Sequence, residues 1–172
     1  MLIDLTAWEG YPVIWLRPAG DPAKVGNDPN GSGPGSSLSL ALESYCQSQG
    51  KLYAPVWLQA VHNHPNRFVA AVEQALGAAA QLSADLGPPA AAGGFESAWV
   101  RLINRISELE HPLLLALNGY DQIENELIHA LVAQLLDYQP GTLQIVLVCR
   151  LMPPLPLPRL RARRALLEVS WG

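Results

Sequence analysis

Apolar residues fall into five short runs separated by longer amphipathic stretches. The runs are PVIWLR (12–17), APVWLQ (54–59), PLLLAL (112–117), LQIVLVC (143–149) and ALLEV (165–169). Most are continuous rather than alternating, which suits strands buried on both faces of a parallel sheet covered by helices. Between them the period changes to that of a helix. SSLSLALESYCQSQGK (36–51) opens on serines able to cap and closes near Gly50. NRFVAAVEQALGAAAQLSADLG (66–87) aligns Phe68, Val72, Leu76 and Ala79 on one face. FESAWVRLINRISELE (95–110) aligns Phe95, Trp99, Leu102, Ile103, Ile106 and Leu109, the clearest amphipathic stripe of the chain. IENELIHALVAQLLDY (123–138) places Ile123, Leu127, Leu131 and Leu135 together. Strands alternating with helices predict a parallel α/β sheet with right-handed crossovers.

Two segments break the rhythm. PAGDPAKVGNDPNGSGPGSS (18–37) is a long loop of Gly, Pro, Asp, Asn and Ser, and GPPAAAGG (87–94) reads as a flexible linker between two helices. The 172 residues suffice for one domain, 1–172, with a sizeable core. Only 15% of them are charged, against 49% apolar, so part of the surface is expected to meet a partner protein or further domains, or a second copy of the chain. The net charge of −4 disfavours non-specific binding to nucleic acid. Cys46 and Cys149 lie in apolar contexts without metal spacing, the usage of a reduced, cytoplasmic protein. MLIDLTAWEG lacks the pattern of a signal peptide, and no apolar run reaches the roughly 20 residues of a membrane helix.

Candidate chemistry is sparse. The first long loop follows a strand and precedes a helix, the place of a phosphate-binding loop, whose pattern is G-x-x-x-x-G-K-[ST]. The best local fit, NGSGPGSS (30–37), matches only at Gly35 and Ser37, with Ser36 at the Lys position and Lys24 far from the helix start. His62 and His64 in HNHPNR (62–67) have the spacing of a metal pair on a strand, but no third ligand stands at useful spacing. A loop leading into a helix, with Asn63 or Asn66 as cap, accounts for them better. RLRARR (159–164) is a basic cluster without interleaved aromatics, read as a solvated turn before the last strand or a short positive patch for phosphate or an acidic partner. Nothing reads as helix-turn-helix, so direct nucleic-acid binding by this chain is not expected.

The stretch LQIVLVCRLMPPLPLPRLRARRALLEV (143–169) resembles the nucleotide-binding domain of the MalT-type, LuxR-like transcriptional regulators of the STAND class of P-loop ATPases. There a strand ending in Arg is followed by a Pro-rich turn, an LRAR-type run and an LLEL-type strand. VWLQAVHNHPNRFVAAVEQAL (56–76), PLLLALNGYDQIENELIHALVAQLL (112–136) and RPAG (17–20) are similar to further pieces of the same domain. The resemblance implies a three-layer α/β/α, P-loop NTPase-like fold of RecA/ASCE type with a five-stranded, mainly parallel sheet. It implies that nucleotide-contacting positions, in degenerate form, are Gly20, Gly33, Gly35, Ser36, Ser37, Asn118 and Arg150. The departures fall on chemistry. An extended segment, Asp21 to Pro34, interrupts the P-loop, and Ser36 replaces its Lys. Asn118 and Gly119 replace the two acids that end the Walker B strand before Tyr120, and Asp121 follows. An amide brings no charge to a metal and glycine cannot act as a base.

Three functions follow as expectations. The first is a non-hydrolysing regulatory or protein-interaction domain with no cofactor. The second is an ATP- or ADP-binding switch that uses backbone groups of the altered loop. The third is a weak ATPase with a site relocated to Lys24 and Asp121.

Overall fold

The computed structural model describes residues 4–18, 34–80 and 94–171, with the backbone alone for 34–36. Five strands form one sheet: β1 (Val13–Pro18), β2 (Leu52–Trp57), β3 (Leu113–Asn118), β4 (Leu143–Val148) and β5 (Leu166–Trp171). Their order is β2-β3-β4-β1-β5. Every pairing is parallel, so the sheet is wholly rather than mainly parallel. β4 lies between β1 and β3, as in RecA/ASCE-type domains. β3 and β4 are buried at every residue, which explains why their sequences show no alternation.

Five helices cover the sheet: α1 (Pro34–Gln49), α2 (Pro65–Ala79), α3 (Gly94–Ser107), α4 (Glu126–Asp137) and α5 (Leu157–Ala162). One apolar core joins α2, α3, α4 and α5 to the sheet through Phe68, Trp99, Leu135 and Leu157, among others. The opposite core joins α1 and a 3-10 helix, Leu5–Trp8, through Trp8, Leu38, Leu42 and Tyr45. The division follows from topology. The crossover from β1 to β2 runs across the sheet in the opposite sense to those leaving β2, β3 and β4, so a uniform right-handed crossover puts α1 on the other face. The architecture is therefore three-layer α/β/α and P-loop NTPase-like.

Local departures from the sequence expectations have local causes. α1 begins at Pro34, a residue suited to a first helical position, so Ser36 and Ser37 lie inside the first turn instead of capping it. It closes as expected on Gly50, at φ +64°, with the Lys51 amide donating to Cys46 O. α4 begins at Glu126, capped by Asn125, and its buried stripe is Ile128, Leu131, Val132, Leu135 and Leu136. Leu127 is exposed, because a row of i, i+4 positions drifts by about 40° per step around a helix, which carries its first helical member off the buried face. The basic run is a turn only at its end, Arg163 and Arg164: Leu157 to Ala162 form α5, with Leu157 and Leu160 buried while Arg159 and Arg163 face Asp137. The linker at 87–94 lies outside the described residues except for Gly94, the first residue of α3.

The two edges of the sheet differ. On β2 the Leu52 amide donates inward to Pro112 O, so alternate residues 53, 55 and 57 face outward and Pro55 removes a donor from the free edge. On β5 the Val13 amide donates to Ala165 O, so residues 165, 167, 169 and 171 face β1 and 166, 168 and 170 face outward. No proline interrupts that outer edge.

Candidate functional site at the carboxyl ends of the strands

Ligands of open parallel sheets bind beyond the carboxyl ends of the strands, where neighbouring strands send their connections to opposite faces. That point lies between β1, followed by α1 on one face, and β4, followed by α5 on the other. The Cys149 amide donates to Leu16 O at 3.2 Å and the Trp15 indole donates to Cys149 O at 3.1 Å, which fixes the residue before Arg150 against β1. Arg150 thus follows directly at the end of β4 beside β1. It is half-buried and forms no ion pair among the described residues. Arg17, at the end of β1, lies 5.3 Å over the Trp15 ring and reaches Ser170 Oγ at 3.5 Å.

The end of β3 is occupied by structural bonding. Asn118 is buried, and its side-chain amide donates to Val56 O at 3.3 Å and Ala116 O at 3.4 Å. Gly119 follows in the left-handed region, φ +74° and ψ +35°. A Cβ there would lie 3.0 Å from the Leu58 carbonyl oxygen, inside normal contact. The glycine that the sequence reads as a missing base is also required by the backbone. Tyr120 is buried and its hydroxyl meets His129 Nδ1 at 2.9 Å, so His129 is not isolated. Asp121 is exposed in the turn that follows. Its charge and, more strongly, burial push the Cys149 thiol up to about 12.

Burial holds His129 below its ordinary range, opposed by Glu126 and by a hydrogen bond involving the Ile123 backbone. A depressed folded-state value means that the unfolded chain takes up the proton first. Stability is therefore complete above the ordinary histidine range near 6.5 and falls as pH drops towards the lowered folded value. Melting temperatures followed from pH 7.5 to about 5 are expected to fall more steeply for the wild type than for His129→Gln.

In HNHPNR it is His62, not Asn63 or Asn66, that caps, closing a capping box on the 3-10 helix Ala60–Asn63. His62 Nδ1 accepts from the Gln59 amide at 2.9 Å, and α2 begins after His64 with no side-chain cap. No cluster of three metal-ligating side chains occurs among the described residues. Asn63 reaches across to the loop between β3 and α4. Its oxygen accepts from the Glu124 amide at 2.6 Å and the Asn125 amide at 3.3 Å. Its side-chain nitrogen donates to Gln122 O at 2.7 Å, while Asn125 Nδ2 donates to Asn63 O at 2.9 Å. Sequence reasoning assigned this asparagine a local cap because nothing in HNHPNR announces a partner 61 residues away. Asn63→Ala removes the bonds to two amides and a carbonyl at the surface, and is expected to lower unfolding stability by about 0.5–1.5 kcal/mol in urea titration.

The other sequence-derived positions are distributed as follows. Gly35 and Ser36 lie in the first turn of α1, at this edge, and Ser37 is exposed there with its side chain engaged. Gly20, Gly33 and Lys24 lie outside the described residues. The structure brings the ends of β1, β3 and β4 together, since the Gly119 amide also donates to Val148 O at 2.9 Å. It does not bring Asn118 into a free, forward-facing position. The rim, which sequence reasoning missed, is apolar: Trp57, Val61, Leu127, Leu151 and Met152 are all exposed in segments at or just after strand ends. A separate cavity of about 420 Å³ opens at the opposite edge, between the starts of the strands and the ends of α4 and α5.

Comparison with known proteins agrees with this architecture. No family model matches the chain. Over 112 residues it is 32% identical to the HTH-type transcriptional regulator MalT of Yersinia enterocolitica and equally to that of Serratia proteamaculans. These matches cover 63% of this chain and 12% of each regulator, so the chain corresponds to a small part of those proteins. Among solved structures, Cdc6p of Pyrobaculum aerophilum superposes with a TM-score of 0.59 at 11% identity, over 95% of this chain and 41% of that one. Orc1 of Aeropyrum pernix, solved in complex with DNA, gives 0.50 at 16% identity, over 94% and 39%. The resemblance to MalT-type regulators is borne out at the level of relatives: the chain is homologous to one segment of those regulators and has a three-layer α/β/α, P-loop NTPase-like fold.

Proposed function

We propose that this chain is a regulatory, protein-interacting relative of MalT-type nucleotide-binding domains that does not hydrolyse nucleotide. The observation that carries the reading is the end of β3. Asn118 spends its amide on two main-chain carbonyls, and Gly119 occupies a backbone position with no room for a side chain. Phosphoryl transfer rests on positioning and electrostatics, so a site without its metal acid, its base and its P-loop lysine has little with which to lower the barrier. The apolar rim around the same edge supports docking of protein rather than of a triphosphate. Calorimetric titration with ATP and ADP, with and without Mg²⁺, is expected to give no binding heat, and phosphate release is expected to stay at the blank. Turnover abolished by Arg150→Ala or Asp121→Asn would overturn the reading.

The second reading, a switch that binds ATP or ADP without hydrolysis, is favoured by one feature. The first turn of the 16-residue α1, with Gly35, Ser36 and Ser37, stands at this edge, and the N-terminus of a helix suits phosphate. Micromolar binding in the same titration, without turnover, would select it.

A further inference from the structure

We propose that β5 is an interface strand on which two copies of this chain pair antiparallel, joining their sheets edge to edge about a two-fold axis at Val169. Among the described residues β5 pairs only with β1, and its outer edge carries the amides and carbonyls of Leu166, Glu168 and Ser170. The opposite edge of the sheet is blunted by Pro55; this one has no such protection.

The strand is complementary to itself in a register centred on Val169. Outward-facing residues must oppose outward-facing residues in an antiparallel ladder. Centring the pair on Glu168 would set two carboxylates directly opposite each other, which is unfavourable. Centring it on Val169 sets Glu168 against Ser170 of the second copy, as hydrogen-bonded pairs on either side of the axis. On the α1 face this register continues a half-buried row, with Leu167 against Trp171 of the second copy and Val169 against Val169. On the other face Glu168 of the second copy arrives beside Ser170, whose hydroxyl is held by Arg17. Arg17 has no carboxylate partner among the described residues, and the pairing brings to its side the carboxylate of Glu168, which Arg161 of its own copy already holds.

Sedimentation equilibrium of the full chain is expected to show a monomer–dimer equilibrium at concentrations up to about 0.5 mM, a weak association for a short strand interface. Ser170→Pro removes an outward amide while sparing the ladder to β1, and is expected to abolish the dimer with an unchanged circular dichroism spectrum. Val169→Cys sets two thiols in a close, non-hydrogen-bonded pair and is expected to cross-link on oxidation. Leu167→Cys, whose counterpart is Trp171, is expected not to do so. The native thiols give no background, since both are buried and burial pushes Cys46 up to about 11 and Cys149 to about 12. A wild type that stays monomeric, a dimer that survives Ser170→Pro in a folded protein, or a Leu167→Cys that cross-links as well as Val169→Cys would each overturn the proposal.

Discussion

Restoring both acids at the end of β3, as Asn118→Asp with Gly119→Glu, is expected to destabilise the chain and to confer no ATP hydrolysis. The aspartate would lose the amide hydrogens that now reach Val56 O and Ala116 O, carbonyls that the β2–β3 ladder already engages, and would place negative charge against both. A buried polar group left unsatisfied costs about 1–3 kcal/mol, and more when it is charged. The glutamate would hold a side chain at φ +74°, a conformation that costs about 1–3 kcal/mol outside glycine. Its Cβ would also press on Leu58 O at 3.0 Å, and Leu58 is poorly able to yield because its own amide is bonded to Asn118 O at 2.9 Å. The two sites share Leu58 and β2, so their effects are not expected to add simply. A combined loss of about 3–5 kcal/mol is a large share of ordinary domain stability. The midpoint of urea unfolding reads it, and an unchanged slope shows that the native fold persists. Mg²⁺-dependent phosphate release by the double variant would mean that the two positions are still open to chemistry.

Trp99→Ala is expected to cost about 3–5 kcal/mol, as large aromatic deletions in cores do. Trp99 is fully buried on α3, its ring centroid 5.8 Å from that of Phe68 on α2, and its indole donates to Leu131 O on α4 at 2.9 Å. One side chain therefore joins three helices of the same layer. Trp99→Phe keeps most of the ring but leaves the Leu131 carbonyl without that donor, and a smaller loss of about 1–3 kcal/mol is expected. Equal losses from the two variants would show that the hydrogen bond rather than the volume dominates.

The fold was legible where burial is complete. The continuous runs that became β3 and β4 have no alternation because helices lie on both sides of them, and the stripe through Trp99, Leu102 and Ile106 named the buried face of α3 correctly. Legibility failed where the chain's own geometry outranks periodicity. The i, i+4 row drifts around the helix and leaves Leu127 at the surface, and a six-residue helix hides in a run of arginines because its buried face is only Leu157 and Leu160. At the candidate site the letters Asn118 and Gly119 showed that acids were absent. They did not show that the amide is committed to two carbonyls or that the glycine sits at positive φ, since both depend on β2 lying alongside. Asn63 is the extreme case, because its partners come from a different crossover.

That asparagine has a mechanical consequence. The 3-10 turn Ala60–Asn63 and the lead-in to α4 are separate in sequence, but one side chain bridges them and Asn125 both returns a bond to Asn63 and caps α4 through the Leu127 amide. The exposed Val61 therefore stands two residues from a side chain bonded to the lead-in of α4, and the far end of that helix, Asp137, meets Arg159 and Arg163, so one unbroken series of contacts runs from the strand-end rim to α5.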